Sequence, residues 1–169
     1  SLVLLKNEKT LLPLKKECRI GITGPNADAL YNQLGDYTPP VLPENGITPR
    51  QGLEALGADV VYAGDFPMFG DGEPRIPEVL TCLRDCDVFA AVLGGTSSRF
   101  GDCTFLENGA LGEQKRATMD CGENVDCAGL RLPGGQLELL KALHETGKPV
   151  IAVLIGGRPY AMEDIDRYA

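Results

Sequence analysis

The chain has 169 residues, of which 43% are apolar and 24% charged, with a formal net charge of −8. That length supports one domain with a real core, and the balance is that of an ordinary globular protein, which excludes disordered and collagen-like classes. No apolar run approaches the roughly 20 residues of a membrane span. The acidic balance lacks the clustered Lys and Arg that a nucleic-acid backbone requires, so neither membrane nor nucleic acid is expected as a partner.

The opening segment, SLVLLKNEKTLLPL, shows no start methionine, basic n-region or small-residue cleavage site. It reads as a lead-in over residues 1–18 from inside a longer polypeptide. CRIGITGPNAD then predicts a buried strand over 19–23, broken at Gly24 and Pro25. GITPRQGLEALGADVVYAGD predicts a helix ending near Gly57 and a strand over 59–63. In IPEVLTCLRDCDVFAAVLGG, Ile76, Val79, Leu80 and Leu83 recur at helical spacing, and 88–93 form an unbroken apolar run. LPGGQLELLKALHETGKPVIAVLIGG predicts a helix over 136–145, a stop at Gly147 and a strand over 150–155. GRPYAMEDIDRYA opens like a further helix.

Helices alternating with unbroken apolar strands predict an α/β fold. The expected architecture is an open, doubly wound, mostly parallel sheet with helices on both faces, a truncated α/β sandwich over 19–169. In such sheets ligands gather beyond the carboxyl ends of the strands, here after Thr23, Ala63, Leu93 and Ile155.

One connection, at about 94–133, far exceeds the usual βα loop, and loops beyond roughly 15 residues are usually functional or disordered. It is expected to be mobile. Within it, TMDCGENVDC at 118–127 brings together Asp120, Cys121, Glu123, Asp126 and Cys127. A metal cage, a disulfide clamp and a catalytic carboxylate all use such residues. For zinc, Cys103, Cys121, Cys127 and His144 supply the right ligand chemistry, but the 121–127 spacing is wide and His144 falls near a helix end, where it compensates the dipole. No metal and no cofactor are expected. Cys82 and Cys86, four apart on a predicted helix, share a face without zinc spacing, and the cysteines read as buried, unpaired thiols that fit a reducing compartment. TGPNAD lacks the glycines of a dinucleotide fingerprint and reads first as a structural turn. Glycoside cleavage needs one carboxylic acid to protonate the departing oxygen and a second carboxyl group to attack the sugar or activate water. A loop glutamate suits the first role. On these residues alone, a solvated acidic loop explains them as well.

Taken in order, SLVLLKNEKTLLPL, TGPNAD, LGDY, VLGGTSSR and LRLPGGQLELLKALHETGKPVIAVLIGGRP resemble the C-terminal α/β sandwich domain of family 3 glycoside hydrolases, the β-glucosidase and β-xylosidase family. The resemblance spans nearly the whole chain. It implies a two-part site: an N-terminal (β/α)-barrel domain of the same polypeptide carries an aspartate nucleophile, and a sandwich loop supplies the acid/base glutamate. CGENVDCAGLRLPG is similar to the family's Gly-Glu-Gly-x-Asp-Arg stretch before its LPG element. Glu123 then matches the acid/base, with Asp120 in reserve, while Asn124 and Cys127 stand where the second glycine and the arginine would be. Ser97, Ser98 and Arg99 match a strand-end loop facing the sugar or the barrel, so Ser98 and Arg99 are candidate substrate contacts. The implied activity is retaining hydrolysis of terminal β-linked sugars from an oligosaccharide or glycoside, with this chain inactive by itself. Two other readings use the same residues: a non-catalytic sugar-binding or structural module, and a nucleotide-binding domain built on TGPNAD.

Overall fold

The four apolar runs are strands because their branched side chains fill both faces of a pleated surface. The computed structural model describes residues 2–39, 41–70, 75–98, 107–108, 119–123 and 125–169. In it, β1 (Arg19–Thr23), β2 (Asp59–Ala63), β3 (Val88–Gly94) and β4 (Val150–Ile155) form a parallel sheet in the order β2-β1-β3-β4. Ile22 pairs with Tyr62 on one side and Ala90 on the other, and Gly94 pairs with Ile155. Among the described residues, four α-helices accompany the strands: α1 (Pro49–Ala55), α2 (Ile76–Leu83), α3 (Gln136–Glu145) and α4 (Glu163–Tyr168).

Every residue of β3 is buried, and its side chains divide by the two-residue period of a strand. Phe89, Ala91 and Leu93 join Val79 and Leu83 of α2 and Leu139, Leu140 and Leu143 of α3 in one core. Val88, Ala90 and Val92 face the other way, onto Ile20 and Ile22, with Leu53 of α1 and Leu14 packed against them. Both faces are thus covered, as the alternation of elements predicts. A buried leucine of this kind contributes about 1.5–3 kcal/mol.

Local chemistry sets the helix ends. Thr48 caps α1 in a capping box with Gln51, with proline in the first turn, which satisfies N–H groups that otherwise lack partners. At the other end of α2, Lys148 Nζ donates to the carbonyls of Arg84 and Cys86 at 2.5 and 2.6 Å.

Cys82 and Cys86 do not share a helix face. The helix stops at Leu83, Cys86 N–H bonds the Leu83 carbonyl at 3.0 Å, and the chain turns so that Asp87 N–H can reach the Arg19 carbonyl at 2.8 Å. The expectation of buried thiols holds for Cys86, whose thiol burial pushes up from its ordinary range. Cys18 and Cys121 are half-buried, Cys82 and Cys127 are exposed, and all five are unpaired with one another. Cys103 lies outside the described residues.

Candidate active site

The carboxyl ends of β1, β3 and β4 converge because glycine lets their backbones touch. Gly24, with φ 105°, abuts the backbone of Val92, and Gly94, with φ 121°, abuts that of Ile155; a Cβ at either position would run into a carbonyl oxygen. Gln136, fully buried at the start of α3, matches its side-chain amide to Gly94: Oε1 accepts the Gly94 N–H and Nε2 donates to the Gly94 carbonyl, both at 2.8 Å. The side chain extends the ladder where no strand continues.

TGPNAD is a structural turn. Asn26 N–H bonds the Val92 carbonyl at 3.2 Å and Ala27 N–H the Gly24 carbonyl at 3.1 Å, so the amides that would cradle a phosphate serve the fold. The Asn26 side chain is fully buried, donates to the carbonyls of Leu93 and Gly95 at 3.2 and 3.3 Å, and accepts from Asn32 Nδ2 at 2.8 Å.

Just past β3, the chain meets Asp120. Its side chain is 3% exposed and three donors converge on it. Thr96 N–H donates to Oδ1 at 2.7 Å, while Arg158 Nε and the Tyr160 hydroxyl donate to Oδ2 at 3.0 and 2.7 Å. Asp120 N–H returns a bond to the Thr96 carbonyl at 3.0 Å. Gly95 has no Cβ for the same reason, since one would fall on the Asp120 carboxylate. Arg158 also donates to the carbonyls of Gly129 and Arg131 at 3.2 and 3.3 Å and stacks 4.6 Å from the Tyr160 ring. Burial first, then the bond to Asp120, pushes the Tyr160 hydroxyl well above the ordinary tyrosine range. The cluster bolts the exit of β4 to the base of the long loop. Asp120 is therefore occupied as an acceptor.

Glu123 lies beyond the bolt and is solvent-exposed. It occupies the corner of a turn closed by Val125 N–H to the Gly122 carbonyl at 3.3 Å, entered through Gly122 at φ 122°. Its own N–H donates to Asp36 Oδ2 at 2.9 Å. Alongside is a cleft of about 160 Å³ lined by residues 32–35, Thr96, Ser97 and 155–157. A Cβ on Gly122 would lie 3.5 Å from Ser97 Cβ, which puts the Glu123 turn at the rim of that cleft.

The other predicted residues separate. Ser98 is buried, its N–H bonded to Thr96 Oγ1 at 2.9 Å, and Ser97 is the member of the pair that lines the cleft. Arg99 lies outside the described residues. Asp126 is exposed. His144 sits on α3 with Nδ1 3.2 Å from the Tyr168 carbonyl and its ring edge-on to Tyr168 at 5.5 Å, so it serves helix packing. Among the described residues, no group of three or more His, Cys, Asp or Glu is placed to hold a metal ion.

Residues 2–169 match the model of the glycosyl hydrolase family 3 C-terminal domain. The chain belongs to that family. It is 31% identical to a beta-xylosidase of Formosa agariphila, over 98% of this chain and 21% of that protein. It is 27% identical to the periplasmic beta-glucosidase of Salmonella typhimurium, over 100% and 22%. Among solved structures, the beta-glucosidase from Listeria innocua in complex with glucose superposes with a TM-score of 0.76 at 27% identity, over 99% of this chain and 20% of that one. The chain thus spans about a fifth of the length of these relatives, and the resemblance read from the motifs is a family membership.

This family 3 domain uses several residues that its sequence does not advertise. Asp36 falls in LGDY and Arg158 in GRP, both stretches that carry the family resemblance, yet neither spacing names a partner. Their contacts join loops 87 and 38 residues apart. The useful signal is position: each follows a strand at its carboxyl end.

Proposed function

We propose that this family 3 domain supplies the acid/base carboxylate of a retaining β-glycosidase, and that the carboxylate is Glu123. The proposed enzyme is a β-glucosidase or β-xylosidase that removes terminal β-linked sugars. The observation that carries the reading is the contrast within one loop: Asp120 is buried with three donors on it, while Glu123 stands exposed on a tethered turn at the rim of a cleft. Only the second arrangement leaves a carboxyl group accessible to a glycosidic oxygen.

In this mechanism an aspartate on a preceding barrel domain of the same polypeptide attacks the anomeric carbon. Glu123 donates its proton to the departing oxygen, then takes one from the water that releases the sugar. Such carboxyl pairs stand about 5–5.5 Å apart in retaining enzymes. Residues 1–18 are assigned as the lead-in from that barrel. Ser98 and Arg99 are proposed as substrate contacts on the family-like motif alone, and Ser97 lines the cleft.

The experiment is azide rescue in the full-length enzyme. With an activated aryl glycoside, Glu123→Gln should form the glycosyl intermediate and stall, because no base activates water. Added azide, which needs no base, should restore turnover and give a β-glycosyl azide. Rescue of Asp120→Asn in place of Glu123→Gln would move the role to Asp120.

A further inference from the structure

We propose that Asp36 is a positioning residue for Glu123, fixing the backbone of the turn from which the acid/base side chain projects. The inference rests on the acid/base reading of Glu123.

The contact itself is direct. Asp36 Oδ2 accepts the Glu123 N–H at 2.9 Å across 87 residues of sequence. A bond from an amide to a carboxylate is shorter and stronger than one between neutral groups. The residue before Glu123 is built around the same oxygen: Gly122 has φ 122°, and a Cβ there would lie 3.0 Å from Asp36 Oδ2. Glycine thus permits both the left-handed backbone and the close approach of Asp36.

Asp36 is itself held from behind. It sits in a turn closed by Thr38 N–H to the Gly35 carbonyl at 3.1 Å. That turn follows a 3₁₀ turn at Leu30–Gln33, which Asn32 ties to Asn26 at 2.8 Å and Asn26 ties to the end of β3. On its far side, the Tyr31 hydroxyl donates to the Val41 carbonyl at 2.9 Å and accepts the Val41 N–H at 3.0 Å. Two arms therefore leave the carboxyl end of β3 and meet at Gly122 and Glu123. The arm through Thr96 and Asp120 fixes the stem of the loop. The arm through Asn26, Asn32 and Asp36 fixes the residue that moves the proton.

Proton transfer is sensitive to this placement, since a displacement of about 1 Å from a remote change can cost about 100-fold in rate. An asparagine at position 36 still offers an oxygen to the Glu123 N–H, and an alanine does not. In kcat/KM, which reports the step that forms the glycosyl intermediate, the effect should also be confined to substrates that need an acid.

The test uses the full-length enzyme and compares an alkyl glycoside or disaccharide with an activated aryl glycoside. Asp36→Ala should lower kcat/KM on the poor leaving group by about 10- to 100-fold while leaving kcat/KM for the aryl glycoside nearly unchanged. Asp36→Asn should regain most of the loss, and Asp36→Ala added to Glu123→Gln should cost nothing more on the poor leaving group. Should Asp36→Ala fail to fold, Asp36→Ser, whose shorter side chain withdraws the accepting oxygen, makes the same comparison. Equal losses on both substrates, or an Asp36→Asn variant no better than Asp36→Ala, would overturn the positioning role while Glu123→Gln still discriminates. Loss of discrimination in Glu123→Gln itself would overturn the acid/base reading, and the positioning role with it.

Discussion

Two acids three residues apart have opposite surroundings, Asp120 buried and Glu123 exposed, and the roles proposed for them rest on that difference. Asp120 is enclosed, and its partners depend on it: Arg158, whose side chain is 13% exposed, gives it one bond and Tyr160 another. Removing one member of a buried charged pair leaves the other uncompensated, a cost of about 3–5 kcal/mol. Asp120→Ala should therefore lower the free energy of unfolding by that order in a urea titration, and a loss below about 1 kcal/mol would mean that water replaces the carboxylate. In the proposed full-length enzyme, its effect on turnover should follow from this loosening and fall alike on good and poor leaving groups. Glu123 makes the opposite case, since its side chain is exposed to solvent.

At the scale of elements, the sheet was the most legible part of the sequence. β1, β2, β4 and α3 have the residue bounds that apolar runs and glycine stops predict, because buried parallel strands and their covering helix are dictated locally by pattern. β3 runs one residue further than its apolar run, to Gly94, since a glycine with no side chain to bury still pairs with Ile155. The cysteine spacing misled for a related reason: helical periodicity continues on paper through Cys86, but the turn into β3 ends the helix at Leu83. The added residue of β3 brings Gln136 into play. Its amide satisfies both polar groups of Gly94, and leaving them unmatched costs about 1–3 kcal/mol each. Gln136→Ala should destabilise the domain by that order and remove the hydrogen-exchange protection of the Gly94 amide. Undiminished protection there would show that the bonds do not hold the strand end.

At the scale of the whole molecule, what sequence could not supply was the meeting of loops. The pattern placed function at the carboxyl ends of the strands, and the family resemblance singled out Glu123. Neither could pair Asp36 with Glu123 or Asp120 with Arg158, because these contacts have no period and join distant segments. The same limit governs the division of labour in the proposed enzyme. This chain covers about a fifth of its relatives' length, and the account assigns the attacking carboxylate to the remainder. Its central claim, that Glu123 protonates the leaving group, is tested most directly by kcat/KM of full-length Glu123→Gln over aryl and alkyl glycosides of graded leaving-group pKa. Losses should grow steeply as the leaving group becomes more basic and nearly vanish for the most activated aryl glycoside. A uniform loss across the series would contradict that claim.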